Sequence, residues 1–179
     1  PETEGAPQNQ SVDEFFGYNC QRQAHNYYPY HLWHNAEKVM LHGNHGKNEN
    51  DYAPDLIHQE ALDFIRENRD IVCGIKVHPY HSDIEFDSER VEPYIKLAEK
   101  YKLPVVVHTA DYDKSSPTRV YNMAKKYPNV NFVMVHMGLG TDNSQAIELI
   151  AKLPNLYGDT TWVSVDSAMK FLSICGDDK

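Results

Sequence analysis

The chain has 179 residues, 41% of them hydrophobic and 24% charged, with a formal net charge of -9. That is enough for one substantial core, and the acidic balance argues against a nucleic-acid or anionic-membrane surface. No apolar run approaches the roughly 20 residues of a membrane span, no signal segment opens the chain, and Cys20, Cys73 and Cys175 form no C-x-x-C pair, which fits free thiols in a reducing, cytoplasmic setting.

Residues 1–10, PETEGAPQNQ, are polar with no periodic apolar face and read as a loop. Residues 11–33 fit neither period, so residues 1–37 are expected to be irregular, with one short helix near 12–18. Order begins at KVMLHGNHG (38–46), a short apolar run ending in glycines, hence a strand and a loop. Helical spacing of Leu56, Ile57, Ala61, Phe64 and Ile65 follows, with Asp51 as a candidate N-cap and Pro54 in the opening turn. IVCGIKVHP (71–79) is a strand; SERVEPYIKLAEKY (88–101) is a helix with Ser88 as a candidate N-cap. LPVVVHT (103–109) is a strand, SPTRVYNMAKKYP (116–128) a helix that stops before Pro128, and VNFVMVHMG (130–138) a strand. DNSQAIELIAKLP (142–154) is a helix, NLYGDTT (155–161) a strand and SVDSAMKFLSIC (164–175) a last helix.

This alternation of strands and helices over residues 38–179 is the pattern of βαβ units with right-handed crossovers and a parallel sheet. It fits either an open doubly wound sheet or a (β/α)₈ TIM barrel, which normally takes ~250 residues and carries its chemistry at the C-terminal ends of its strands. Polar residues recur at that edge: His42 and His45, His78 and His81, His108, His136 and Asp159. No G-x-G-x-x-G or Walker loop is present, so the expectation is an α/β fold of the (β/α)₈ barrel type.

GIKVHP (74–79), LPVVVHT, VNFVMVHMG and NLYGDTT together resemble successive strands of the metal-dependent amidohydrolase superfamily. The resemblance is to its amidohydrolase-2 branch, which includes hydrolases of cyclic esters and aminocarboxymuconate-semialdehyde-type decarboxylases. It implies a barrel holding a divalent metal, zinc first, near its mouth. The metal-ligating histidine that closes the family's fifth strand carries over to His108. The histidine closing the sixth strand, which binds a metal or positions and deprotonates the metal-bound water, carries over to His136. The fourth-strand motif makes His78 a substrate contact or a neighbour of the ligands.

The pattern also departs from the family. No H-x-H of the first strand occurs, and no eighth-strand aspartate follows ICGDDK. If the strand ending at His42 is the third, the chain holds strands 3 to 7 of an incomplete barrel, with strands 1, 2 and 8 not identifiable.

Zinc suits neutral imidazole at about 2.0 to 2.1 Å, and three protein ligands with one open position define a catalytic site. The metal lowers the pKa of its water toward ~7, and a nearby histidine or carboxylate moves the proton.

Residues two apart on a strand share a face, so Lys76 points with His78 and either binds a substrate anion or bridges two metals as a carboxylated lysine. His42 and His45 read as a loop pair contacting substrate or solvent, or as an improvised ligand pair. Asp159 is either an orienter for a histidine or a loop cap. Tyr27, Tyr28, Tyr30 and Trp33 form satellite core or line a ring-shaped substrate's pocket. Cys73 reads as a buried, inert thiol.

Three functions remain. One is a hydrolase of a small carboxylated ester, lactone or amide by attack of metal-bound water. The second is a nonoxidative decarboxylase, and the third a non-catalytic barrel fragment lacking the full metal site. The expected partners are a small-molecule substrate and a homo-oligomeric copy, with neither nucleic acid nor membrane.

Overall fold

The computed structural model describes residues 4–20 and 22–179; residues 1–3 of the expected N-terminal loop lie outside the described residues. The chain divides into two units, Pro1–Phe64 and Ile65–Lys179.

The first unit differs from the irregular segment expected of residues 1–37. Strands β1 (Phe16–Gly17), β2 (His31–His34) and β3 (Glu37–Met40) form an antiparallel sheet in that order. No helix forms over residues 12–18. The β2–β3 hairpin turns at Asn35, which takes the left-handed φ of 52° that asparagine tolerates. Its side-chain oxygen accepts from the Phe15 amide at 2.9 Å.

Both Leu32 and Trp33 are buried, so the strand shows no alternation and its period is hidden. Leu32, Leu41 and Ala53 make the local core, with Phe16, Tyr18, Val39, Leu56 and Ile57 packed on it. The aromatic run divides: Trp33 is buried, whereas Tyr27 and Tyr28 lie against Tyr52.

The strand expected over residues 38–42 is β3. It pairs antiparallel with β2 and shows only Val39 half-buried, so it is not a barrel strand. The chain therefore carries four parallel strands among the described residues, not five.

Helix α1 (Ala53–Glu67) has the expected Pro54 in its first turn, but Asp51 does not act as its N-cap. The Asp51 carboxylate instead accepts from the Gly43 amide at 2.7 Å, while buried Asn44 donates to Pro29 O and Asp51 O, both at 2.9 Å. These bonds fix the turn His42–Asn44.

In the second unit β4 (Ile75–Val77), β5 (Val105–Ala110), β6 (Phe132–Leu139) and β7 (Leu156–Gly158) form a parallel sheet in sequence order. Between and after them lie α2 (Glu92–Tyr101), α3 (Pro117–Lys126), α4 (Ser144–Ile150) and α5 (Val165–Cys175). Ser88 does not cap α2: the helix opens at Glu92 with Pro93 in its first turn, and Ser88 forms a preceding turn through its carbonyl. Cys73 lies before β4 and is exposed, against the expected burial.

Val105, Val107, Phe132, Met134 and Leu156 are fully buried, each worth about 1.5–3 kcal/mol of burial. The residues between them, Lys76, Val106, Val133 and Tyr157, are partly or fully exposed. One covered face and sequential strand order mean that right-handed crossovers set every helix on the same side. A doubly wound sheet covers both faces, so this sheet is an arc of a barrel whose inner face carries Lys76.

Two polar devices hold the arc. Buried Asn155 donates through its amide to Ala124 O, Tyr127 O and Val130 O at 3.0, 3.1 and 2.8 Å, tying the end of α3 to the start of β7. Arg119 on α3 pairs with Asp87 at 2.5 Å, Asp113 at 2.8 Å and Glu85 at 3.3 Å, joining the loops that follow β4 and β5.

Asn155→Ala strips those carbonyls of their shared donor and is expected to cost about 1–3 kcal/mol in urea unfolding. The ladder does not close among the described residues, since β4 pairs only with β5 and β7 only with β6. Open edges template strand pairing, so this chain by itself is expected to self-associate with concentration in sedimentation equilibrium. A monodisperse monomer would contradict this.

Candidate functional site

The strand register lays out two rows on the inner face. Lys76, Val106, Val133 and Tyr157 form the deeper row; His108 opposite Val135 begins the row at the strand ends, where His78 and Asp159 follow β4 and β7. His136 does not belong to this row by parity, because it follows Val135 and would face the helices.

A bulge brings His136 to the inner side. His108 pairs with Val135 and Ala110 with Leu139, so one residue of β5 spans three of β6. Those three, His136, Met137 and Gly138, all have left-handed φ of 65°, 45° and 88°. The His136 ring then stands edge-on to His108, centroids 5.2 Å apart. His78 stacks on His108 at 3.9 Å and 12°, and His81 lies 4.2 Å from His78.

The histidines differ in what their nitrogens can do. His136 Nδ1 lies 2.8 Å from Thr161 O. A carbonyl only accepts, so Nδ1 carries the hydrogen and the neutral ring keeps its lone pair on Nε2. The Asp159 carboxylate accepts from the Thr161 amide at 3.0 Å and the His136 amide at 3.4 Å. Although burial works upward on Asp159, the Thr161 bonds, the His136 amide and the His136 charge hold its carboxyl below the ordinary value. Asp159 thus caps the Thr161 loop and contacts the His136 backbone, while neither bond reaches an imidazole ring.

Burial, followed by the neighbouring His78, His136, Lys76 and His81, pushes His108 down to about 4. His78 is lowered by burial and by His81 and Lys76. Its Nδ1 faces the His81 amide at 3.5 Å, which leaves Nε2–H as a donor. Burial lowers the Lys76 amine while the charge of Asp159 works against that shift.

The structure therefore gathers His78, His108, His136, Lys76 and Asp159 on one side of the sheet. His108, held neutral, and His136, whose Nδ1 is committed to Thr161 O so that Nε2 is left as the candidate ligand atom, fit a zinc or similar divalent ion. His78, His108 and His136 do not bring three ligand atoms within 4.8 Å of one another. Among the described residues only Glu14, His34 and Glu60 do so, in the first unit, where the His34 ring and the Glu14 carboxylate are hydrogen-bonded. His42 and His45 also lie in the first unit, exposed, rings stacked at 6.0 Å and 8°.

Sequence reasoning missed the aromatics of the βα loops. Trp162 is 79% exposed with φ 65° and lies 5.9 Å from His136, and Tyr80 and Tyr112 meet at 4.7 Å. Their signal was position: each follows within a few residues of a strand end. A groove lined by Glu99, Lys102, Leu103, Pro104, Asn129 and Asn131 lies at the opposite end of the strands.

The amidohydrolase family model (Amidohydro_2) matches residues 53–174, more than half of the chain and all four parallel strands. The chain belongs to the amidohydrolase family.

No curated protein sequence matches it. Among solved structures, an uncharacterized TIM-barrel protein from Bordetella bronchiseptica is 18% identical, with 65% of this chain covering 44% of that one at a TM-score of 0.51, which supports the barrel fold. A Campylobacter jejuni dihydroorotase is 23% identical over 59% of this chain and 33% of its own, TM-score 0.44. A 2,6-dihydroxybenzoate decarboxylase is 12% identical over 70% and 54%, TM-score 0.49. This amidohydrolase chain thus spans a third to about half the length of those structures. The superfamily is metal-dependent, which agrees with the clustering of His108 and His136. No helix among the described residues is long and apolar enough to cross a membrane.

The depressed His108 has a measurable consequence. From its ordinary 6.5 down to about 4, the unfolded chain takes a proton here that the folded chain refuses. Stability is therefore lost as pH falls through that window and the loss levels off below about 4. His108→Gln is expected to flatten this part of the Tm-against-pH curve. A ring-proton NMR midpoint near 6.5 in the wild type would show instead that His108 is not held neutral.

Proposed function

We propose that the chain supplies part of the active site of a zinc-dependent hydrolase acting on a small carboxylated ester, lactone or amide. The observation that carries this reading is the His108–His136 pair, two imidazoles 5.2 Å apart, one held neutral and the other with its lone pair fixed on Nε2.

His108 would hold the ion, and His136 would position the attacking water, take its proton at Nε2 and return it to the leaving group. When bound, zinc supplies a water whose pKa lies near ~7. Lys76 and the His78 Nε2–H would hold the substrate carboxylate, and Asp159 keeps the His136 backbone and the Thr161 loop in register. Burial and its neighbours keep His108 neutral near pH 7, so it does not repel a cation.

A nonoxidative decarboxylase would use the same lysine and histidines on the substrate carboxylate, and the product separates the two. Hydrolysis releases an acid and an alcohol or amine; decarboxylation releases carbon dioxide.

Metal analysis of the purified protein, followed by turnover of lactones, esters and aromatic carboxylates, tests the reading. About one zinc per chain is expected, reduced at least tenfold in affinity by His108→Ala. His136→Gln should retain zinc and lose about 10²- to 10⁴-fold in kcat. A wild type that neither takes up metal nor turns over any of these substrates would favour the non-catalytic fragment.

A further inference from the structure

We infer that Thr109 and Asn143 are positioning residues that hold β6 in its left-handed bulge and thereby decide whether the His136 ring reaches the side of the sheet on which His108 stands. Its catalytic consequence rests on the role of His136 proposed above; the conformational claim rests on the backbone alone.

Without the bulge, alternation would turn His136 toward the helices, beside the row of Val107 and Met134. Three successive left-handed residues, two of them not glycine, are an unfavourable conformation that surrounding structure must over-determine. The bulge also removes ladder bonds and frees backbone groups in a buried place.

Four of the backbone groups at the bulge find partners in these two side chains, while the His136 amide donates to Asp159 and Gly138 O accepts from Thr141. The Thr109 hydroxyl, fully buried, accepts from the Gly138 amide at 2.8 Å and donates to Val135 O at 2.7 Å. It bridges the two ends of the bulge in place of the missing ladder bonds. Asn143, 6% exposed and itself at φ 61°, donates through Nδ2 to His136 O and Met137 O, both at 3.1 Å. Those are the carbonyls that the left-handed turn rotates out of the sheet.

Met137 completes the exchange. It drops to the helix side, fully buried, where it fills the space left by Gly158: a Cβ there would lie 2.6 Å from Met137 Sδ and 2.9 Å from Phe171 Cζ. Met137 thus takes the helix-side place that parity assigns to His136, and His136 is displaced to the site.

NMR of the purified protein tests this through two signals: the cross-relaxation between the His108 and His136 rings, and the Nδ1–H tautomer of His136. Thr109→Val keeps the shape and removes both hydrogen bonds, so both signals are expected to vanish, with kcat down about 10- to 100-fold and KM little changed. Thr109→Ser, which keeps the hydroxyl, is expected to restore them.

A merely structural role would lower Tm in Thr109→Val and leave both signals intact, which would overturn the assignment. If Thr109→Val does not fold, Asn143→Ala serves: the Thr109 hydroxyl bridge remains while the amide bonds to His136 O and Met137 O are lost, and unchanged ring contact and tautomer would equally overturn the assignment. Ring signals lost as expected in a protein that shows no turnover would sink the hydrolase reading while leaving the positioning role standing. Turnover lost with the ring signals intact would do the reverse.

Discussion

Because Val105, Val107, Phe132, Met134 and Leu156 all face the helices, the residues between them have only one other place to go. A strand offers two faces, and four parallel strands in sequence order with right-handed crossovers cover one of them. The other face receives Lys76 and, at the strand ends, His78, His108 and Asp159. The hydrophobic demand of one side thus collects ionisable groups on the other without any of them having to attract its neighbours. The basic groups among them do not attract one another: Lys76 and neighbouring histidines lower the proton affinity of His78 and His108. Packing pays for a cluster that electrostatics alone would disperse.

Parity cannot place every group. A fifth chemical residue at the end of β6 would fall on the covered face, and the local answer is to abandon the strand for three residues. The conformational cost is offset by side chains whose own positions are set elsewhere, Thr109 by β5 and Asn143 by the start of α4. This makes the bulge a joint product of three elements, so it cannot be read from β6 in isolation. Gly138 permits the last left-handed step, with Thr141 and Pro117 close by its α-carbon.

How much of this was legible follows from which interactions are local. The strands β5 and β6 announced themselves as continuous apolar runs, and the helices between strands by their alternation with them; the cap that Ser164 provides for α5, accepting from the Ser167 amide, was not singled out. The family resemblance was carried by the same strand ends. The hairpin of residues 31–40 was hidden because Leu32 and Trp33 are buried side by side, which breaks the period of two, and because its turn is Asn35 rather than an Asn-Gly pair. The Asp51 and Ser88 caps failed for the same kind of reason: Asp51 is claimed by the Gly43 amide, and Pro93 starts its helix later. Nothing in VNFVMVHMG distinguishes a straight strand from a bulged one. His136 was placed correctly at a strand end, but the geometry that turns it required the neighbouring strand.

The state of charge then follows from the placement. A ligand imidazole must be neutral, and in water a histidine near its ordinary pKa is partly protonated around pH 6. Here burial lowers His108 before any ion arrives, with three other imidazoles and Lys76 acting in the same direction. The fold therefore bears the cost of deprotonation when the chain folds, and cation binding need not bear it again. Asp159 balances the set from the far strand, kept ionised by amide and hydroxyl donors and close enough for its charge to be felt at Lys76. A site so arranged is short of negative charge and rich in lone pairs. On the function proposed above, a divalent ion and a carboxylated substrate would each be stabilised there by the other's presence, the ion by the substrate's charge and the substrate by Lys76 and the ion together.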